Sequence, residues 1–153
     1  MVKSFQGVRV VEAKKSPLDQ ILVKDHMSTN LITFRPDDSI DFVLEMFTKR
    51  KISGAPVLDE SGDLVGIISE VDCLKEIIKG KYTNTPKFPG KVSEHMTREV
   101  ITMSPDLSLF DAAQKFLELK IRRFPVLKDG RLVGQISLSD VIRAFPKLRQ
   151  TTW

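Results

Sequence analysis

Apolar residues in this chain follow two alternating spacings. Ile40, Val43, Leu44 and Phe47 recur at i, i+3, i+4, i+7, which places them on one face of a helix. Ser39 stands directly before them, where a side chain that caps a helix N-terminus belongs. Upstream, the short apolar run "LITF" at 31–34 predicts a strand that stops at Pro36. Downstream, "APVL" (55–58) and "LVGII" (64–68) are strand-like runs on either side of the turn "DESGD", the pattern of a hairpin. Ser69 then opens a closing helix, expected to end near Gly80. At the start, "SPLD" (16–19) predicts a short lead-in helix, with Ser16 as cap and Pro17 at its first position.

The same series returns. Residues 26–58 match 95–127 at an offset of 69, and 62–72 match 130–140 at an offset of 68. There are 20 identities over these 44 positions, among them His26/His95, Thr33/Thr102, Pro36/Pro105, Ser39/Ser108, Phe47/Phe116, Pro56/Pro125, Gly66/Gly134, Ser69/Ser137 and Asp72/Asp140. Chance does not produce this, so the chain is a tandem duplication. The second helix face is Leu109, Ala112, Ala113 and Phe116, and the second closing helix is expected to stop before Pro146. Each copy thus reads strand, helix, strand, strand, helix, an α+β class of fold. The expected organisation is an N-terminal extension (1–19), repeat one (20–79), a Gly/Pro/Lys-bearing linker (80–91), repeat two (92–145) and a tail (146–153). A copy of this size is marginal alone. The two are therefore expected to pack sheet to sheet about a pseudo-twofold axis, with related clefts between them.

Composition narrows the class. With 41% hydrophobic and 29% charged residues, the chain is that of a globular protein rather than a disordered one. No apolar run approaches the ~20 residues of a membrane span, and the N-terminus has no apolar core of a secretory signal. A single cysteine, Cys73, and two histidines, His26 and His95, supply neither a disulfide nor a zinc set. A reducing, cytoplasmic setting is expected. The net charge of +4 suits an anionic ligand, but the basic residues are scattered and aromatics make up only 7%, which argues against nucleic acid as the main partner. The chain shows no Ser–His–Asp set, no paired carboxylates that its pattern places in a common cleft and no Gly-x-x-x-x-Gly-Lys phosphate loop, so an enzyme is not expected.

Candidate chemistry concentrates in "GIISEVD" (66–72) and "GQISLSD" (134–140). Two readings fit. In the first, Ser-x-x-Asp is a capping box that starts a helix. In the second, it is half of a nucleotide site. The helix N-terminus attracts phosphate, Ser69 and Ser137 donate to it, and Asp72 and Asp140 accept vicinal ribose hydroxyls. The glycine would let the ligand approach the backbone. Thr33 and Thr102 end the upstream strands, and backbone at Ala55-Pro56 and Phe124-Pro125 could receive a flat base. The copies differ just before these prolines: Ser53-Gly54 in copy one, Arg122-Arg123 in copy two. The arginines fit either a phosphate clamp or a solvated strand end.

The repeated series h-Thr-h-x-Pro, Ala-Pro-Val or Phe-Pro-Val, and Gly-h-Ile-Ser-x-x-Asp (h apolar) resembles the cystathionine-β-synthase (CBS) domain, and two in tandem resemble a Bateman module. The resemblance covers about residues 20–145. It implies a non-catalytic regulatory module for AMP, ADP, ATP or S-adenosylmethionine, with no cofactor required and an unknown regulated partner. It assigns ribose binding to Asp72 and Asp140, places Ser69 and Ser137 near phosphate or ribose, and puts Thr33 and Thr102 in the pocket. It also implies a homodimer joined through helices, for which Phe42, Met46, Phe110 and Leu117 are candidate surface, packing within the molecule being the competing explanation for them. A ligand-free interaction module and a weak nucleic-acid binder are the alternatives. Given the two arginines, the copies should form one good site and one weaker or empty one.

Overall fold

The computed structural model describes residues 2–5, 17–83 and 87–152; Ser16 lies outside them. In chain order the elements are β1 (Val2–Phe5), a 3-10 turn (Pro17–Gln20), α1 (Val23–His26), α2 (Ile40–Arg50), β2 (Gly54–Leu58), β3 (Leu64–Ser69) and α3 (Glu70–Thr83). There follow α4 (Val92–His95), β4 (Val100–Met103), α5 (Leu109–Leu119), β5 (Arg123–Lys128), β6 (Arg131–Ser137) and α6 (Leu138–Thr152).

The described residues group into two compact units. Ile32–Val100 make the body of the first, and Lys3–Leu31 with Ile101–Trp153 make the second. The sequence repeats and the compact units therefore have different boundaries. In unit 1, α4, which precedes copy two in sequence, is held by Val92 N–H to Asp38 C=O (2.9 Å) and Ser93 N–H to Pro36 C=O (3.0 Å). In unit 2, α1, which precedes copy one, is held by Val23 N–H to Leu107 C=O (2.9 Å) and Lys24 N–H to Pro105 C=O (3.0 Å). Each unit thus takes its lead-in helix from the sequence before the other copy.

The hairpins form as the apolar runs predict: β2 pairs antiparallel with β3, and β5 with β6. Both helix faces are buried on cores. Ile40, Val43 and Phe47 lie with Phe34, Val57 and Ile68, while Leu109, Ala112 and Phe116 lie with Met103, Phe124 and Ile136. Ser39 and Ser108 cap as expected, accepting from Phe42 N–H at 3.2 Å and Asp111 N–H at 3.1 Å. Both helices end in a left-handed residue, Lys51 or Lys120, whose N–H bonds back to Phe47 or Phe116.

Three local expectations are corrected. "LITF" of copy one is not a ladder strand and keeps only a parallel bridge from Phe34 to Val57, whereas "VITM" of copy two is the strand β4. α3 runs through Gly80 to Thr83, because glycine weakens a helix by only ~1 kcal/mol relative to alanine. α6 runs through Pro146 despite the lost hydrogen bond and the clash of its ring with the carbonyl four residues back. The end of the linker is also ordered. Phe88 packs on the core of unit 1, its N–H donating to Asp41 at 3.0 Å, and Ile40 N–H donates to Gly90 C=O at 2.8 Å.

Candidate functional site

Alternation along the hairpins decides which side chains share a face. In unit 2, Phe124, Val126 and Ile136 are fully buried in the core. Their strand neighbours Arg123, Pro125, Gln135 and Ser137 therefore lie on the opposite face, with Arg123 directly across from Ser137 and Pro125 across from Gln135. Strand β4 extends this face. Met103 is paired with Val126 and buried with it, which turns Thr102 to the same side as Pro125 and Ser137. In unit 1 the corresponding face carries Gly54, Pro56, Ile67 and Ser69, with Gly54 across from Ser69. Phe34, bridged to Val57, turns Thr33 to that side. The backbone thus brings the threonine, proline and serine of each motif onto one sheet face. Ala55 and Phe124 are different: their side chains belong to the cores, and Phe124 stacks edge-on with Phe116 at 4.8 Å.

The two faces are not equivalent. Thr102 is fully buried whereas Thr33 is exposed. Unit 2 places Arg123, half-buried, where unit 1 has Gly54; Arg122 is exposed. The Arg122 carbonyl accepts the first helical N–H of α6, from Leu138 at 2.9 Å, which ties this arginine pair to the helix start. Ser53 plays the same part for Glu70 at 3.1 Å.

At the helix starts the capping box is formed in both copies. Asp72 Oδ2 accepts from Ser69 N–H (2.9 Å) and from its hydroxyl (3.0 Å), and Asp72 N–H returns to Ser69 Oγ at 3.4 Å. Asp140 Oδ2 accepts from Ser137 N–H at 2.8 Å, and Asp140 N–H donates to Ser137 Oγ at 3.1 Å. The remaining oxygen of each carboxylate faces a cation one turn on: Lys75 at 3.5 Å from Asp72, and Arg143 at 2.9 Å from Asp140. Capping and ligation do not exclude each other, because each Oδ1 is held only by a long, exposed side chain that a ribose could displace. Asp72 itself is buried, its side chain only 5% exposed.

The glycines of the motif have another role than the one expected. A Cβ on Gly66 would meet Met96 Sδ at 2.7 Å and Thr97 O at 3.0 Å; on Gly134 it would meet Met27 Sδ at 2.5 Å and Ser28 O at 2.9 Å. These contacts belong to the lead-in segments, whose backbones pair with β3 and β6 through Thr97–Ile67 and Ser28–Gln135. Within each unit, the glycines make room for protein.

Cys73 follows Asp72 but points into the core, with 1% exposure. Burial first, and then the carboxylates of Asp72 and Glu70, push its thiol up to about 11. It is therefore a small core residue and not a reactive thiolate.

Two features escaped the sequence. Gln135 stands where copy one has Ile67, and its side-chain oxygen is buried without a hydrogen-bond partner. Glu76, 4% exposed, accepts from Gly90 N–H at 3.1 Å and meets His95 Nε2 at 2.5 Å. His95 thus has a carboxylate partner 19 residues upstream in sequence, one helix turn past Asp72 on α3. Ala144 occupies the matching place in copy two, so this clamp is made once. Two surface pockets, of about 370 Å³ around Ser104, Asp106 and Gly130 and about 270 Å³ around Glu76, Lys79 and Gly90, include none of the candidate site residues. No group of three or more metal-ligating side chains occurs among the described residues, nor any helix long and apolar enough to cross a membrane.

The model of the CBS domain matches residues 23–79 and 92–147. The chain belongs to the CBS domain family. A protein of Methanocaldococcus jannaschii called MJ1426 is 35% identical over 154 aligned positions, covering 82% of this chain and 91% of its own. The crystal structure of Arabidopsis thaliana CBSX2 in complex with AMP is 31% identical with a TM-score of 0.74, covering 84% of this chain and 98% of that one. The CBS domain pair of protein MJ0100, solved with 5′-methylthioadenosine and S-adenosyl-L-methionine, is 34% identical with a TM-score of 0.71 and coverages of 82% and 96%. The tandem CBS architecture inferred from the repeat is thereby established for this chain.

Proposed function

We propose that this protein is a non-catalytic regulatory module that binds adenosine-containing ligands on the Ser-x-x-Asp faces of its two units, the better site being that of unit 2. The observation that carries this reading is the single sheet face on which Thr102, Arg123, Pro125 and Ser137 converge, with Asp140 at the helix start beside it. Such a face offers an apolar platform for a base, a hydroxyl and a guanidinium for phosphate, and a carboxylate for ribose hydroxyls. Two similar CBS pairs hold AMP, S-adenosylmethionine or methylthioadenosine, which supports the ligand class. Unit 1 has Gly54 and an exposed Thr33 in the matching places and is the weaker site.

Calorimetric titration with AMP, ADP, ATP and S-adenosylmethionine tests the reading. AMP at about 100 times its dissociation constant should add about 2.7 kcal/mol of stability. Asp140→Asn should remove the stronger site and Asp72→Asn the weaker. If the double variant binds adenylates as tightly as the parent, the site assignment is wrong.

The module would transmit ligand state through a protein contact, either a second copy or a regulated partner. Val71, Leu74, Ile78 and Tyr82 support this: they recur along one side of α3 and are 53–85% exposed. This stripe replaces part of the surface expected from sequence. Met46 and Phe110 pack against the cores, and Phe110 stacks on Phe145 at 5.4 Å, while Phe42 and Leu117 remain exposed.

A further inference from the structure

Gln135 lies two residues before Ser137 on β6 and on the same face, directly across from the buried Pro125. Its side-chain oxygen is shut off from solvent with no hydrogen-bond partner, the one such side-chain atom among the described residues. A buried acceptor without a donor is destabilising by about 1–3 kcal/mol. Copy one avoids this with Ile67 at the matching position, in an otherwise similar hairpin. An amide retained where an aliphatic side chain is compatible with the same local fold calls for a donor that the protein itself does not supply.

We propose that Gln135 reads the base in the unit 2 site, its amide oxygen accepting a hydrogen bond from the exocyclic amino group of a 6-aminopurine. This rests on the ligand class proposed above and adds a discriminating contact to it. Two residues of strand separate Gln135 from Ser137, about 7 Å, so a nucleoside whose ribose lies at Asp140 would extend its base along the strand toward Gln135. Pro125 gives the base an apolar surface beside the amide. The residue as a whole is only half-buried. Rotation about its terminal torsion, which has a broad energy profile, is sufficient to turn the oxygen toward a ligand. The unit 1 face, with Ile67, has no such acceptor and would not distinguish bases by their amino group.

The test compares AMP with purine riboside 5′-monophosphate, which differs only in lacking the 6-amino group. Both are titrated into an Asp72→Asn variant, so that only the unit 2 site contributes. AMP should bind about tenfold more tightly, the equivalent of one hydrogen bond of about 1.4 kcal/mol. Gln135→Ile, which installs the copy-one residue, should abolish the preference, and Gln135→Glu, which keeps an acceptor, should retain it. A purely packing role would weaken both ligands equally and leave the ratio unchanged; that result overturns the proposal. Equal binding of the two ligands before substitution, lost for both on adding Asp140→Asn, overturns it while leaving the adenosine-site reading intact. If neither ligand binds, both readings fall.

Discussion

Removing the Glu76 carboxylate perturbs a buried contact between α3 and the segment that carries α4 in unit 1. Glu76 is 4% exposed and holds two partners, Gly90 N–H at 3.1 Å and His95 Nε2 at 2.5 Å. Glu76→Ala leaves both without an acceptor. Each buried donor left without its acceptor costs about 1–3 kcal/mol. The His95 side chain keeps 14% exposure and can recover some hydration. The expected loss is therefore about 3 kcal/mol, in the lower half of the range for two such donors. In a chain of this length that corresponds to a fall of roughly 6–12 °C in Tm. Urea unfolding should show a lower midpoint at unchanged slope, as for a change in stability alone. His95→Ala should cost much less in the Glu76→Ala background than in the parent, with a coupling of about 1 kcal/mol or more. A loss below about 0.5 kcal/mol, the range of an ordinary surface change, or strict additivity of the two substitutions, would refute the clamp.

Gly134→Ala and Gly66→Ala should each destabilise by about 1–3 kcal/mol through overpacking, with Gly134 the worse, since its added carbon meets Met27 Sδ at 2.5 Å and Ser28 O at 2.9 Å. Thermal denaturation ranks them, and a neutral Gly134→Ala would show that the lead-in segment is not packed there as described. For Cys73, a thiol value raised to about 11 in the folded state means the unfolded chain loses its proton first as pH rises. Stability should therefore fall between about pH 9 and 11, and a thiol reagent at pH 8 should label Cys73 only as the protein unfolds. Rapid labelling of the native protein would contradict its burial.

Much of this protein was legible in its sequence because the decisive signals are local or periodic. Ser39 and Ser108 cap because a hydroxyl one residue before an apolar helix face can accept from the free N–H groups there, and of the faces they start only Leu44 and Ala113 are less than fully buried. The duplication exposed the repeated fold and the paired Ser-x-x-Asp turns, and strand alternation alone places serine, proline and threonine on one face. Helix ends were less legible at Gly80 and Pro146, since propensities of ~1–3 kcal/mol are overridden when neighbouring turns are in place. What only the tertiary structure decided depends on residues distant in sequence. The lead-in helices are exchanged between the copies, so Gly66 and Gly134 make room for methionines that no local pattern could pair with them. His95 finds Glu76 because α3 and α4 meet in unit 1, and the Gln135 side-chain oxygen is buried without a hydrogen-bond partner although its backbone pairs with Ser28. Periodicity specifies which face a side chain occupies; whether it finds a partner there depends on elements the chain brings back from elsewhere.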